Sequence, residues 1–204
     1  MKRRVISAAL ALCVMLTLLP GTALAAGQHP FIDVPQSHWA NEAVGYVYEN
    51  DLMNGVSATM FQPGGSLTRA MFVTILGRMA GAEEESGESG FADVPAGSWY
   101  APYVNWAAAN GIVNGTSATT FDPNTTISRQ DMAVMLYNYT QHFGVQLDQK
   151  TVTAFTDEGS VAAYALPAVQ ALHRAGVING MPDGSFQPYA TATREQACIV
   201  LCAL

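Results

Sequence analysis

Apolar residues recur at helical spacing in short runs along this chain. Ala43, Val44, Val47 and Tyr48 lie one, three and four positions apart, and Tyr103, Val104, Ala107 and Ala108 repeat the pattern sixty positions later. Such spacing predicts amphipathic helices with one buried stripe. These helices are expected to end near Asn50-Asp51, Asn110-Gly111 and Ala175-Gly176. Glycine suits a left-handed cap at two of the three ends, and Asp51 adopts that conformation less easily. An apolar pair followed by Asn-Gly comes next, at Asn54-Gly55, Asn114-Gly115 and Asn179-Gly180. This is a turn signal that fits either a short hairpin or an ordered loop. A second set of apolar runs then predicts helices over 71–79, 132–139 and 196–201. Thr68, Ser128 and Thr193 are their N-caps, and Asp131 and Gln196, unlike Met71, are placed to complete a capping box.

The pattern is a triplication. Phe31, Asp33, Trp39, Asn54, Gly55, Phe61, Pro63, Thr68 and Arg69 recur sixty residues later as Phe91, Asp93, Trp99, Asn114, Gly115, Phe121, Pro123, Ser128 and Arg129. A third copy carries Phe155, Asp157, Tyr164, Asn179, Gly180, Phe186, Pro188, Thr193 and Arg194, with one inserted residue after Asp157. A unit of this size cannot bury a core alone, so the copies are expected to pack against one another. Phe61, Phe121 and Phe186 are expected to pin the loop after Asn-Gly to that core. Asp33, Asp93 and Asp157 read as turn-forming or capping acceptors for backbone N–H groups.

The first residues change the compartment. Lys2, Arg3 and Arg4 precede an apolar run over 5–19 and the small-residue pattern Ala23-Leu24-Ala25, which reads as a secretory signal peptide over 1–25. The run falls short of the ~20 residues a spanning helix needs. Cleavage leaves six basic against sixteen acidic residues in the exported chain, so no nucleic-acid partner and no membrane insertion are expected. Of those six cations, Arg69, Arg129 and Arg194 occupy the same place in each copy. An Arg at a helix start opposes the helix dipole, so something else must favour it there. Cys198 and Cys202 share a helical face too widely spaced for a disulfide and read as core residues.

At these residues the chain resembles proteins with three tandem S-layer homology (SLH) motifs. Phe31-Ile-Asp-Val-Pro35, Trp39, Asn54-Gly55, Phe61-Gln-Pro63 and Leu67-Thr-Arg-Ala70 carry the likeness, which covers 31–204. The resemblance implies a mainly α fold of three helix-loop-helix repeats packed as a pseudo-threefold trimer. Its units are SLH repeats at 31–80, 91–140 and 155–204, an acidic linker at 81–90 and a connector at 141–154. It further implies a secreted protein, associated with the cell wall or S-layer, that binds an anionic secondary cell wall polymer, often pyruvylated, in grooves between motifs. The motif Thr-Arg-Ala-Glu maps to 68–71, 128–131 and 193–196. Arg is kept in all three copies, whereas the acidic fourth residue becomes Met71 and Gln196 in the first and third. The third copy also departs by Tyr164 for Trp and by Glu158-Gly159 for Val-Pro, so its groove is expected to be the degraded one.

The ligand-binding candidates are therefore Arg69, Arg129 and Arg194, whose guanidinium forks can grip a carboxylate bidentately. Trp39, Trp99 and Tyr164 offer flat apolar faces to a sugar, or else pack in the core. Gly55, Gly115 and Gly180 permit close backbone approach, or simply serve the turn. Catalysis is not expected. His29, His38, His142 and His173 occupy no common repeat position, and no carboxylate pair recurs in a setting that would split acid from base. No metal and no cofactor are expected. The segment 122–126 hints at a calcium loop but lacks its later bidentate Glu and the required Gly. The alternative function is a structural or adaptor role through contacts with a surface protein.

Overall fold

The computed structural model describes residues 28–82 and 90–204. The segment 1–25, expected to be a signal peptide, and most of the expected acidic linker at 81–90 lie outside the described residues. Among the described residues six α-helices form: α1 Asn41–Glu49, α2 Arg69–Met79, α3 Ala101–Ala109, α4 Arg129–His142, α5 Leu166–Ala175 and α6 Arg194–Cys202. A 3-10 turn covers Glu158–Ser160. Among the described residues there is no strand, only isolated bridges joining Ser66 to Thr193, Thr68 to Thr126 and Ser128 to Thr191. No described helix is long and apolar enough to cross a membrane.

Local chemistry sets the helix ends. Thr68, Ser128 and Thr193 sit in extended backbone and accept the amides of Met71, Asp131 and Gln196. A reciprocal capping box closes at Thr193 and Gln196. It does not close at Ser128, because that hydroxyl donates to Asp131 Oδ2 at 2.7 Å and the carboxylate is turned to other work. Pro102 and Pro167 occupy the first turns of α3 and α5, where a missing N–H costs nothing. Left-handed residues follow α1, α3 and α5 at Asp51 (φ 55°), Gly111 (φ 67°) and Gly176 (φ 79°), so Asp51 takes the glycine conformation despite its side chain.

The main helix pairs do not form within a repeat. Instead α2 packs on α3, α4 on α5, and α6 returns to α1. Each second helix thus covers the first helix of the next repeat, and the third repeat closes back on the first. A ring of main-chain bonds marks the junction: Ile127 N–H donates to Leu67 O, Ala192 N–H to Ile127 O, and Leu67 N–H to Ala192 O, at 2.9, 2.9 and 3.3 Å. All three residues are fully buried. The expected mutual packing of copies is therefore what makes the core continuous.

The Asn-Gly segment is an ordered loop and not a hairpin. Val56 and Ser57 N–H both donate to Met60 O. Gly55 has no positive φ; a Cβ there would strike the Phe31 ring and the carbonyls of Ser57 and Met60. Gly115 and Gly180 meet Phe91 and Phe155 in the same way. The left-handed backbone lies further on, at Gln62, Asp122 and Gln187, the middle residue of each Phe-x-Pro, with φ 56° in all three. Asp33, Asp93 and Asp157 hold that conformation. Asp33 accepts Phe61 N–H at 2.9 Å and Gln62 N–H at 2.7 Å, and the other two carboxylates do the same for Phe121 with Asp122 and for Phe186 with Gln187. They are acceptors of backbone N–H groups, but of a loop nearly thirty residues away and not of their own turn.

Candidate functional site

The three arginines open α2, α4 and α6 at the seams between repeats. Arg69 Nε donates to Phe121 O, Arg129 Nε to Phe186 O and Arg194 Nε to Phe61 O, each at 2.8 Å. Each guanidinium also lies over the ring of that same phenylalanine, 4.7, 5.0 and 4.3 Å from its centre. Phe61 in turn packs on Phe31, as Phe121 does on Phe91 and Phe186 on Phe155. A second bond runs from Arg69 Nη2 to Asn114 O and from Arg194 Nη2 to Asn54 O; among the described residues the counterpart from Arg129 to Asn179 is not formed. These carbonyls are what offsets the unfavourable helix dipole. Arg69 and Arg129 are buried and Arg194 is half-buried. Burial pushes all three guanidinium groups below their usual range, opposed at Arg69 first by the charge of Asp131 and at Arg129 by Asp157. At Arg194 the opposition comes first from the Cys198 thiol, where it ionises, and then from the Asp33 carboxylate.

Trp39, Trp99 and Tyr164 are 62, 58 and 62% exposed, so they stand outside the core at equivalent places. One of them meets an arginine across a defined cleft of about 100 Å³. Asn54, Met71, Thr74 and Arg78 of the first repeat, Trp99 of the second and Arg194 of the third line it together. Arg194 uses two of its five N–H groups on carbonyls, leaving three. Among the described residues Arg78 donates Nη1 to Leu52 O at 3.2 Å. Thr74 is buried, yet its hydroxyl has no hydrogen-bond partner. Such an orphan costs about 1–3 kcal/mol unless a guest satisfies it. Among the described residues no acidic side chain lines the cleft. Arg78 and Asn54 also border a larger hollow of about 410 Å³ that extends it past Tyr103, Asn50 and Asp51.

Thr74 and Arg78 are absent from the sequence-level candidates because they do not recur: the aligned positions are Val134 with Asn138, and Ile199 with Ala203. A lone hydroxyl in an apolar helix was the available signal. The candidate glycines Gly55, Gly115 and Gly180 lie under their own repeat's phenylalanine. Cys198 is buried against Met53, its thiol pushed up to about 12 by burial, while Cys202 is exposed. The described residues contain no cluster of His, Cys, Asp or Glu able to hold a metal ion.

A family profile described as the S-layer homology domain matches residues 30–71, 90–133 and 154–198. An endoglucanase of Bacillus sp. (strain KSM-635) is 33% identical over 86% of this chain and 18% of its own length. An S-layer protein of Bacillus thuringiensis subsp. finitimus is 28% identical over 85% of this chain and 21% of its own. A cellulosome-anchoring protein of Acetivibrio thermocellus is 24% identical over 89% of this chain and 40% of its own. The chain therefore spans less than half the length of each of these relatives. What they share with it is the triplicate region, whatever activity the rest of each protein carries.

Proposed function

This chain belongs to the S-layer homology domain family, a cell-surface anchoring module of exported proteins, and on that premise we propose that it is a non-catalytic anchor for an anionic secondary cell wall polymer. The observation that carries the reading is the cleft beneath Arg194, where three repeats bring together two guanidinium groups, an unsatisfied buried hydroxyl and an exposed indole. A sugar carboxylate, such as that of a pyruvyl ketal, would take bidentate N–H donors from arginine and the Thr74 hydroxyl. The Trp99 face would cover the sugar ring or the ketal methyl. The exported chain is strongly acidic and would repel a polyanion at long range, so the cation must be local and free of competing carboxylates. One charge-assisted contact contributes about 1.5–3 kcal/mol, so firm retention on a wall needs repeated units of the polymer held close by.

Co-sedimentation with bacterial wall sacculi tests this. The chain is expected to pellet with intact sacculi and to remain in solution when the secondary polymer has been stripped from them. Equal pelleting with both, or with neither, would overturn the proposal and favour contacts with a surface protein.

A further inference from the structure

We propose that the three inter-repeat clefts are unequal by construction: the one beneath Arg194 and Arg78 is open to an anion, and the one at Arg69 is closed to anions by an internal carboxylate, Asp131, latched to Tyr164. This inference rests on the anionic-glycan reading above and specifies which seam serves it.

Where the first cleft has Met71, the second has Asp131. Its Oδ1 accepts the Tyr164 hydroxyl at 2.7 Å and its Oδ2 accepts the Ser128 hydroxyl at 2.7 Å. The Tyr164 oxygen also accepts Gln130 Nε2 at 3.2 Å. The aromatic of the second cleft is thus tied down by the helix it faces, whereas Trp99 of the first has an edge-on ring contact with its neighbour Tyr100. Electrostatics follow the same division. Burial depresses the Arg69 guanidinium and Asp131 is the largest charge opposing it, with Asp122 next. Position 122 is Gln62 and Gln187 in the other repeats, so two carboxylates are particular to this seam. The carboxylate acting on Arg194 is Asp33, counterpart of Asp93.

Hydrogen-bonding capacity is distributed in the same sense. The unpartnered Thr74 hydroxyl becomes Val134 in the second cleft and Ile199 in the third, and the second guanidinium, Arg78, becomes Asn138 and Ala203. In the third cleft Trp39 lies beside His38, which faces Glu195 at 3.5 Å, so a carboxylate stands near that indole too. An incoming anion in the second cleft must displace or oppose Asp131, whereas no acidic side chain among the described residues lines the first. Asp131 forms no ion pair with Arg69; it keeps its two oxygens on Tyr164 and Ser128 and places a negative charge in the cleft that an anion would have to enter.

The test is an NMR titration of the full chain with a methyl glycoside carrying a pyruvyl ketal, run beside wall co-sedimentation. The Trp99 indole and the Asn54 and Thr74 amides are expected to shift, with Tyr164 and Asn114 unmoved. Thr74→Val is expected to weaken binding roughly tenfold, the loss of one charge-assisted bond, without lowering Tm. Asp131→Met is expected to let the ligand shift Asn114. Tyr164→Phe, which keeps the ring and removes the latch, is expected to do the same and serves if the Met variant does not fold. Equal shifts in both clefts of the wild type, or no response to either latch variant, would overturn the proposal. Wall binding with Trp99 silent would overturn the cleft assignment and leave the anchoring function standing. Ligand shifts at Trp99 without wall binding would keep the assignment and remove the wall.

Discussion

Arg194 Nε lies 2.8 Å from the carbonyl oxygen of Phe61, a residue 133 positions earlier, and its guanidinium covers the ring of that same phenylalanine. The contact closes the chain on itself, since α6 is the last helix and Phe61 belongs to the first repeat. The repeated arginine is therefore a bolt between neighbours before it is anything else. Any ligand it takes must be satisfied with the N–H groups left over.

Arg194→Ala should consequently cost stability as well as binding. It removes two hydrogen bonds to carbonyls and a ring contact, a loss of about 2–4 kcal/mol. For a domain of this size that corresponds to a fall in Tm of roughly 5–15 °C. Arg194→Lys should recover little of it, because one ammonium cannot span the carbonyls of Phe61 and Asn54 while lying flat on the ring. Urea titration of both variants followed by circular dichroism checks this.

Gly55→Ala is expected to be among the most damaging single-methyl changes. Gly55 lies beneath the Phe31 ring and between two carbonyls, so the added carbon has backbone on two sides and cannot be relieved by a rotamer change. A loss of about 3 kcal/mol or more is expected. Gly64→Ala, where a Cβ meets open space, is the matched control and should fall within about 0.5 kcal/mol of wild type.

The parts of this arrangement legible in the sequence are those fixed by near neighbours or by repetition. Helical spacing located α1 and α3, the Ser and Thr caps located α2, α4 and α6, and the threefold register singled out Arg69, Arg129 and Arg194. Which repeat each arginine reaches was not legible, because the pairing is a property of how the helices close and not of any local pattern. The left-handed Gln62 was hidden because nothing about glutamine announces a positive φ; the stabilising carboxylate, Asp33, is far away in sequence. Thr74 escaped for the opposite reason, and Asp131 was legible as a capping residue but not as the partner of Tyr164. They break the repeat, and reading a triplication by its shared residues discards the differences that distinguish one cleft from another.

Cysteine reactivity should divide cleanly. Cys202 is exposed, while Cys198 is buried beside Met53 with its thiol pushed up to about 12. Since the thiolate is the reacting species, a maleimide at neutral pH is expected to label Cys202 in the native chain and Cys198 only after unfolding. Peptide mapping by mass spectrometry before and after denaturant distinguishes the two sites; native labelling of Cys198 would contradict the packing of α6 on the first repeat.

Acid sensitivity should trace in part to Asp33. Burial works to raise this carboxyl, but the amides of Phe61 and Gln62, donating to its two oxygens, outweigh it and hold the group below its ordinary 3.8. A carboxyl whose folded value is depressed binds its proton less readily in the folded than in the unfolded chain. Its contribution to stability is therefore complete above pH 3.8 and declines as pH falls from there through the lower folded value. Protonation would remove charge from the group that holds Gln62 in its left-handed conformation. Asp33→Asn, which keeps one carbonyl acceptor and loses the charge, should lower the urea midpoint at pH 7 and flatten its fall on acidification. Parallel urea titrations of wild type and variant from pH 7 to pH 2 would show the two curves converging at the acid end. Curves that stay parallel throughout would remove Asp33 from the account of acid stability and leave its two hydrogen bonds as ordinary loop contacts.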